Sequence, residues 1–115
     1  MVFLCLFLSI FANSSQAFAD TKKKVIVVPV AGDIDNGLSF FLRRQLRRAE
    51  REAAAAVILE VNSNGGLVAA AQEMKDALLK TKIKTIAFVN GRALSAAALV
   101  SIACENIYMA PGSEM

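Results

Sequence analysis

The chain has 115 residues, of which 56% are hydrophobic and 20% charged, with a formal net charge of +3. That length suits one small domain, and that apolar content suits a buried core rather than a disordered chain. Histidine is absent and cysteine occurs only as Cys5 and Cys104, which excludes Ser-His-Asp or Cys-His catalysis within these residues, most zinc sites and a disulfide framework.

Residues 1–19 carry no charged side chain. Val2 to Ala12 reads VFLCLFLSIFA, an apolar run of the length of a signal-peptide core, and Asn13-Ser14-Ser15-Gln16 breaks it. Ala17-Phe18-Ala19 then forms an A-x-A site with cleavage expected before Asp20. The run is short for a membrane span, and no Lys or Arg precedes it, so an uncleaved anchor stays open as the second reading. The expectation is a signal peptide over 1–19 and an extracytoplasmic domain over 20–115. Removal of the leader would leave Cys104 without a partner, in an apolar run where a thiol is buried and inert.

After the leader, strand-like and helix-like patterns alternate. Lys24–Val30 (KVIVVPV) is β-branched and almost wholly apolar, as a strand covered on both faces would be. Residues 31–37 (AGDIDNG) form a loop of turn residues. The spacing of Leu38, Phe41, Leu42, Leu46, Ala49 and Ala53 predicts a helix from Leu38 to about Ala54. Ala56–Val61 is a second strand and Asn62-Ser63-Asn64-Gly65-Gly66 turns out of it. Leu67–Lys80 is a helix with Leu67, Ala70, Ala71, Met74, Ala77 and Leu78 as its apolar stripe. Thr85–Val89 is a third strand ended by Asn90-Gly91. Ser95–Ala103 is a buried, alanine-rich helix, and Asn106–Ala110 a short fourth strand before Pro111-Gly112. This order predicts an α/β fold with a parallel sheet and right-handed crossover helices. Chemistry in such sheets collects at the carboxyl ends of the strands, which brings Asp33–Gly37, Ser63–Gly66 and Asn90–Ser95 to one edge.

The basic residues fall mostly in Lys22-Lys23-Lys24 and in Arg43, Arg44, Arg47, Arg48 and Arg51. With no Trp and a single Tyr, Tyr108, there is no stacking set for nucleic acid, and the arginines read as a solvated helix face. Asp33 and Asp35 form a D-x-D pair without later acidic ligands at calcium-loop spacing. Asp35 or Asn36 reads instead as a helix cap. No metal or cofactor is implied.

Two features carry chemistry. Gly65-Gly66, after a strand and before a helix, lets the backbone turn tightly and present amides to an oxyanion or phosphate. Asn64-Gly65 is equally an ordinary turn dipeptide. Ser95 follows a strand and the Gly91-Arg92-Ala93-Leu94 turn, so its hydroxyl lies at the sheet edge with the Ala96 amide free at the helix start. Serine is equally a favoured helix N-cap.

The path from KVIVVPV through EVNSNGG to FVNGRALSAAALVSIACENIYMAPGS resembles the Clp-class membrane serine proteases of the NfeD type, relatives of ClpP and signal peptide peptidase. The likeness runs over nearly all of residues 24–115 and rests on three ordered motifs: G-D-I-D, N-x-x-G-G, and G-x-A-x-S-A followed by M-A-P-G-S. It implies a ClpP/crotonase-like parallel sheet, here its N-terminal half. It implies Ser95 as nucleophile, an oxyanion hole of the Gly66 and Ala96 amides, and Gly65 as the turn-forming residue. It implies a lysine base in place of histidine, peptide or membrane-protein substrates rich in hydrophobic segments, stomatin-like partners and a homo-oligomer.

This sequence departs from the family in three places. The family's lysine lies downstream of M-A-P-G, beyond Met115; Lys75, Lys80, Lys82 and Lys84 do not match it. Ala97 stands where the family usually has glycine, and Asn64 where it usually has proline. Without the lysine the serine hydroxyl stays protonated, so the chain alone is expected not to turn over substrate. Two alternatives remain: a non-catalytic Clp-like scaffold docking a membrane partner, and a crotonase-type acyl-CoA enzyme, against which the leader argues.

Overall fold

The computed structural model describes residues 22–115; the expected signal peptide and its cleavage site lie outside the described residues. The β-branched run after Lys24 becomes β1 (Val25–Ile34), and the elements continue as α1 (Asn36–Arg51), β2 (Ala56–Gly66), α2 (Val68–Lys80), β3 (Thr85–Ala93), α3 (Ala96–Ile102) and β4 (Asn106–Met109). The four strands form one sheet in the order β1-β2-β3-β4, and every neighbouring pair is parallel. Each helix therefore serves as the crossover that parallel pairing requires.

Register explains the core. Val28, Leu59 and Ala87 stand side by side on one rung, and Val30, Val61 and Val89 on the next. All six are fully buried. Leu42 and Leu46 of α1, Ala70, Ala71 and Met74 of α2, and Val100 of α3 join them in one cluster. Burying a side chain of Leu or Met size stabilises the fold by about 1.5–3 kcal/mol. Asp35 caps α1, its carboxylate accepting from the Leu38 amide at 2.8 Å. Arg44, Arg47, Arg48 and Arg51 are exposed, as a solvated helix face requires.

Several sequence expectations change. The sheet is not covered on both faces among the described residues. Side chains alternate across a strand, and the rungs Val27–Ile58–Ile86 and Pro29–Glu60–Phe88–Tyr108 lie on the face opposite the helices; Val27 is 56% exposed and Tyr108 59%. β1, β2 and β3 also run past their expected ends, because the glycine- and asparagine-rich segments pair rather than turn. Asp33 pairs with Gly65, Ile34 with Gly66 and Ser63 with Ala93, after bulges at Ala31/Asp33 and Val61/Ser63.

The helix stripes shift as well. Phe41, Ala53 and Leu67 are exposed rather than part of the packed stripes. Ser39 instead takes an interior place in α1, donating to the Glu73 carboxylate at 3.0 Å.

Candidate functional site

The carboxyl ends of β1, β2 and β3 converge on the start of α3. Ser63, at the bulge in β2, ties these ends together. Its hydroxyl donates to the Gly32 carbonyl at 2.6 Å and accepts from the Gly65 amide at 3.1 Å, while its own carbonyl accepts from the Leu94 amide at 3.0 Å. Ser63 itself is 3% exposed. Asn62 adds a second tie, its side-chain oxygen accepting from the Arg92 amide at 3.2 Å. Sequence reasoning placed Ser63 at this edge without a role. The signal that could have found it is a lone hydroxyl in phase with the apolar Val57, Leu59 and Val61, at an inward position where it must be hydrogen-bonded.

Gly65 lies directly against Ser95. A Cβ on Gly65, which has φ +107°, would come within 2.9 Å of the Ser95 Cβ, 3.0 Å of the Leu94 carbonyl oxygen and 3.2 Å of the Ala96 nitrogen. Only glycine permits that approach. A Cβ on Gly66 would run into the Ile34 backbone, and the Leu67 amide donates to the Ile34 carbonyl at 2.7 Å. These glycines serve as a close backbone approach paired to β1, and not as an ordinary turn dipeptide.

Ser95 is exposed and has φ +53° and ψ −123°, a conformation that L-residues rarely adopt. Its side chain makes no capping hydrogen bond, so the helix-cap explanation for a serine here does not hold. The Ser95 carbonyl accepts from the Ala98 amide at 3.0 Å, and the Leu94 carbonyl from the Ala97 amide at 3.0 Å. The Ala96 amide between them has no hydrogen-bond partner among the described residues. Thus the structure brings Ser95, Ala96 and Gly65 together at one edge, with Gly66 next in the chain. Ala97 is fully buried under this corner.

Beside this corner, Gly32, Asp33, Asn62, Ser63, Asn64, Gly91, Arg92, Gly112 and Glu114 line an open polar cleft of about 580 Å³. The Arg92–Glu114 ion pair at 2.8 Å forms one side of it. Among the described residues no grouping of His, Cys, Asp or Glu could hold a metal ion. Cys104 is a buried free thiol that donates to the Val100 carbonyl at 3.9 Å. Burial pushes its pKa up to about 11, slightly opposed by a Thr85 hydrogen bond, so it is a packing residue and not a nucleophile.

The parallel α/β sheet with its crossover helices is the fold of the ClpP-like proteases, as solved structures show. The 1510-N membrane protease specific for a stomatin homolog from Pyrococcus horikoshii matches with TM-score 0.74 and 28% identity, over 80% of this chain and 48% of that one. A lysine-to-alanine mutant of the 1510-N stomatin-specific protease, in complex with a substrate peptide, matches with TM-score 0.76 and 28% identity, over 81% of this chain and 44% of that one. ClpP1 from Listeria monocytogenes matches with TM-score 0.66 and 25% identity, over 69% of this chain and 46% of that one.

The family follows from the sequence comparison. Residues 24–115 match the NfeD1b N-terminal domain, and the chain belongs to that family. Membrane protein NfeD1b of Bacillus subtilis (strain 168) is 43% identical over 94 residues, which are 82% of this chain and 22% of the relative. The chain thus spans about a fifth of that curated relative and under half of each solved protease.

Proposed function

We propose that this chain supplies the nucleophile and oxyanion-binding half of a Ser-Lys serine endopeptidase acting on hydrophobic segments of membrane proteins outside the cytoplasm. The observation that carries the reading is the Ser95 corner: an exposed hydroxyl on a backbone at φ +53°, packed on Gly65, with an Ala96 amide beside it that no described residue partners. A serine needs a general base to become nucleophilic, and Ser95 Oγ has no hydrogen-bond partner among the described residues. The reading requires a lysine base, supplied from sequence beyond Met115 and kept neutral by burial. In the tetrahedral intermediate the Ala96 and Gly66 amides hold the oxyanion, and losing one such donor costs a factor of about 100–1,000 in rate.

The names of the solved relatives support the substrate class, because two of them describe membrane proteases specific for stomatin or a stomatin homolog. Stomatin-like proteins are therefore the partners we propose, with peptide substrates bound by a homo-oligomer. The test is hydrolysis of a fluorogenic peptide with an apolar core, using the protein extended to the length of its relatives. Ser95→Ala is expected to lower the rate at least about a thousandfold, and the 115-residue chain alone is expected to show no turnover. Hydrolysis untouched by Ser95→Ala overturns the proposal. A correctly folded, extended protein that never cleaves would point to the Clp-like scaffold instead.

A further inference from the structure

The outer ridge of α1 is an unusual surface. Phe40, Arg44, Arg47 and Arg51 recur at the i, i+4, i+7, i+11 spacing of one helix face. They lie opposite the buried Ser39, Leu42, Leu46 and Ala49. Phe40 is 57% exposed at the head of the ridge, and Phe41 is exposed on its flank. Arg44, Arg47 and Arg51 make no ion pair among the described residues; the arginines that do are Arg43 with Glu73, Arg48 with Glu52 and Arg92 with Glu114. The acidic groups at the end of the helix are already engaged. Glu50 accepts from the Thr81 hydroxyl at 2.9 Å, and Glu52 pairs with Lys24 at 2.7 Å and Arg48 at 3.0 Å.

The start of β1 joins this ridge at its C-terminal end. The Ala55 amide donates to the Lys24 carbonyl at 2.7 Å, and the Lys24–Glu52 pair fixes the side chain there. Exposed Lys22 and Lys23 precede it, and ahead of them in the sequence stands the uncharged apolar run of residues 2–12. Lys22–Lys24 and an arginine ridge headed by phenylalanine thus adjoin on one side of the domain.

We infer that the outer ridge of α1, with Lys22–Lys24, docks on an anionic lipid surface. Arginine and lysine stems reach from a helix to phosphate level, and an exposed phenylalanine enters the acyl boundary. Arg44, Arg47 and Arg51 repeat along one exposed helix face without an acidic ion-pair partner among the described residues. A lipid headgroup layer, being flat and uniformly charged, fits it better than an acidic polypeptide. The inference stands apart from the peptidase reading, since none of these residues touches Ser95.

The experiment is sedimentation of the full chain with phosphatidylcholine vesicles, with and without phosphatidylglycerol. The leader contributes to both compositions, so the ratio of the two affinities isolates the ridge. Arg44→Gln/Arg47→Gln/Arg51→Gln, checked for unchanged circular dichroism, is expected to lower the phosphatidylglycerol preference about a hundredfold, at about fivefold per charge. Raised salt is expected to lower the wild-type preference likewise. Phe40→Ser is expected to weaken binding to both vesicles several-fold while leaving the preference in place. Equal wild-type binding to the two compositions, or a preference that the triple substitution leaves undiminished, overturns the inference. Capture of polyglutamate without a lipid preference overturns it in favour of an acidic protein partner.

Discussion

The layer between the sheet and its helices and the carboxyl edge of the same strands follow opposite rules. In the layer, Val28, Leu59 and Ala87 share a rung, sit in ordinary strand conformation and lose all contact with water. A few residues on, Ser95 holds a disfavoured backbone, Gly65 admits no side chain, and the Ala96 amide goes unpartnered among the described residues. Local preference and global fold agree in the first region and conflict in the second, as they do where proteins keep a functional site. Substitutions should therefore have opposite signs in the two regions. The layer is stabilised by what it has, while the edge is strained by what it keeps.

The largest effect is expected at Leu59. Leu59→Ala removes a fully buried side chain that Val28 and Ala87 flank on its rung, and such truncations cost about 2–5 kcal/mol. Ile58, its neighbour in sequence, points to the open face and lines the exposed apolar strip with Val27, Ile86, Phe88 and Tyr108. Ile58→Ala is expected to cost less than about 1 kcal/mol. Urea unfolding of both variants checks the pair. Equal losses would mean that the outer face of the sheet is packed as tightly as the inner one, and the comparison would fail.

How far these regions were legible in the sequence follows the same division. The strands and helices of the layer announce themselves through periodicity, and Leu42, Leu46, Ala70, Ala71, Met74 and Leu78 are buried as their spacing requires. The two-sided coverage expected of KVIVVPV was misleading. An apolar residue on each face of a strand states a preference for burial, and what lies over Val25 and Val27 is decided by topology. With four strands in sequential order and the helices packed against one face, the other face stays open among the described residues. Phe41, Ala53 and Leu67 mislead for a related reason: Phe41 flanks its stripe, while Ala53 lies past the end of α1 at φ +49° and Leu67 is the extended cap before α2, so the helical period does not set where they point. At the edge, the motif placed Ser95 near Gly65. Neither its positive φ nor its missing cap bond could be read from residue type, because serine before a helix is a favourable local choice. The conformation comes from contact with β2, a tertiary fact. Ser63 and the extended pairing of Asp33 and Ile34 were hidden similarly, because turn-forming residues in a ladder take their structure from their partners.

Cys104 sharpens the layer's side of the contrast. Its buried thiol ionises only near pH 11 in the folded chain against 9.0 ordinarily. The folded state thus holds the proton longer than the unfolded state. Stability is unaffected below pH 9, falls as pH rises from about 9 to 11, and then levels off, with up to about 3 kcal/mol lost. Cys104→Ala is expected to remove that slope at a fixed cost of about 1 kcal/mol. Thermal unfolding across this pH range, in a Cys5→Ser background, measures both. An identical alkaline slope in the two proteins would mean that the thiol is hydrated in the native state.

The smallest effect has the opposite sign and tests the edge directly. Holding a non-glycine residue at the Ser95 dihedrals costs of order 1–3 kcal/mol. Ser95→Gly relieves that strain and returns part of the gain through the greater freedom of glycine in the unfolded chain, about 0.5–1 kcal/mol. A net stabilisation of about 1 kcal/mol is expected in urea unfolding. Ser95→Ala keeps the same Cβ in the same conformation and gives up no hydrogen bond, so it is expected to change stability by less than about 0.5 kcal/mol. The alanine variant separates loss of the hydroxyl from release of the backbone. If glycine were destabilising while alanine stayed neutral, the positive φ at position 95 would be a relaxed feature of this fold, and the tension between edge and layer would not exist.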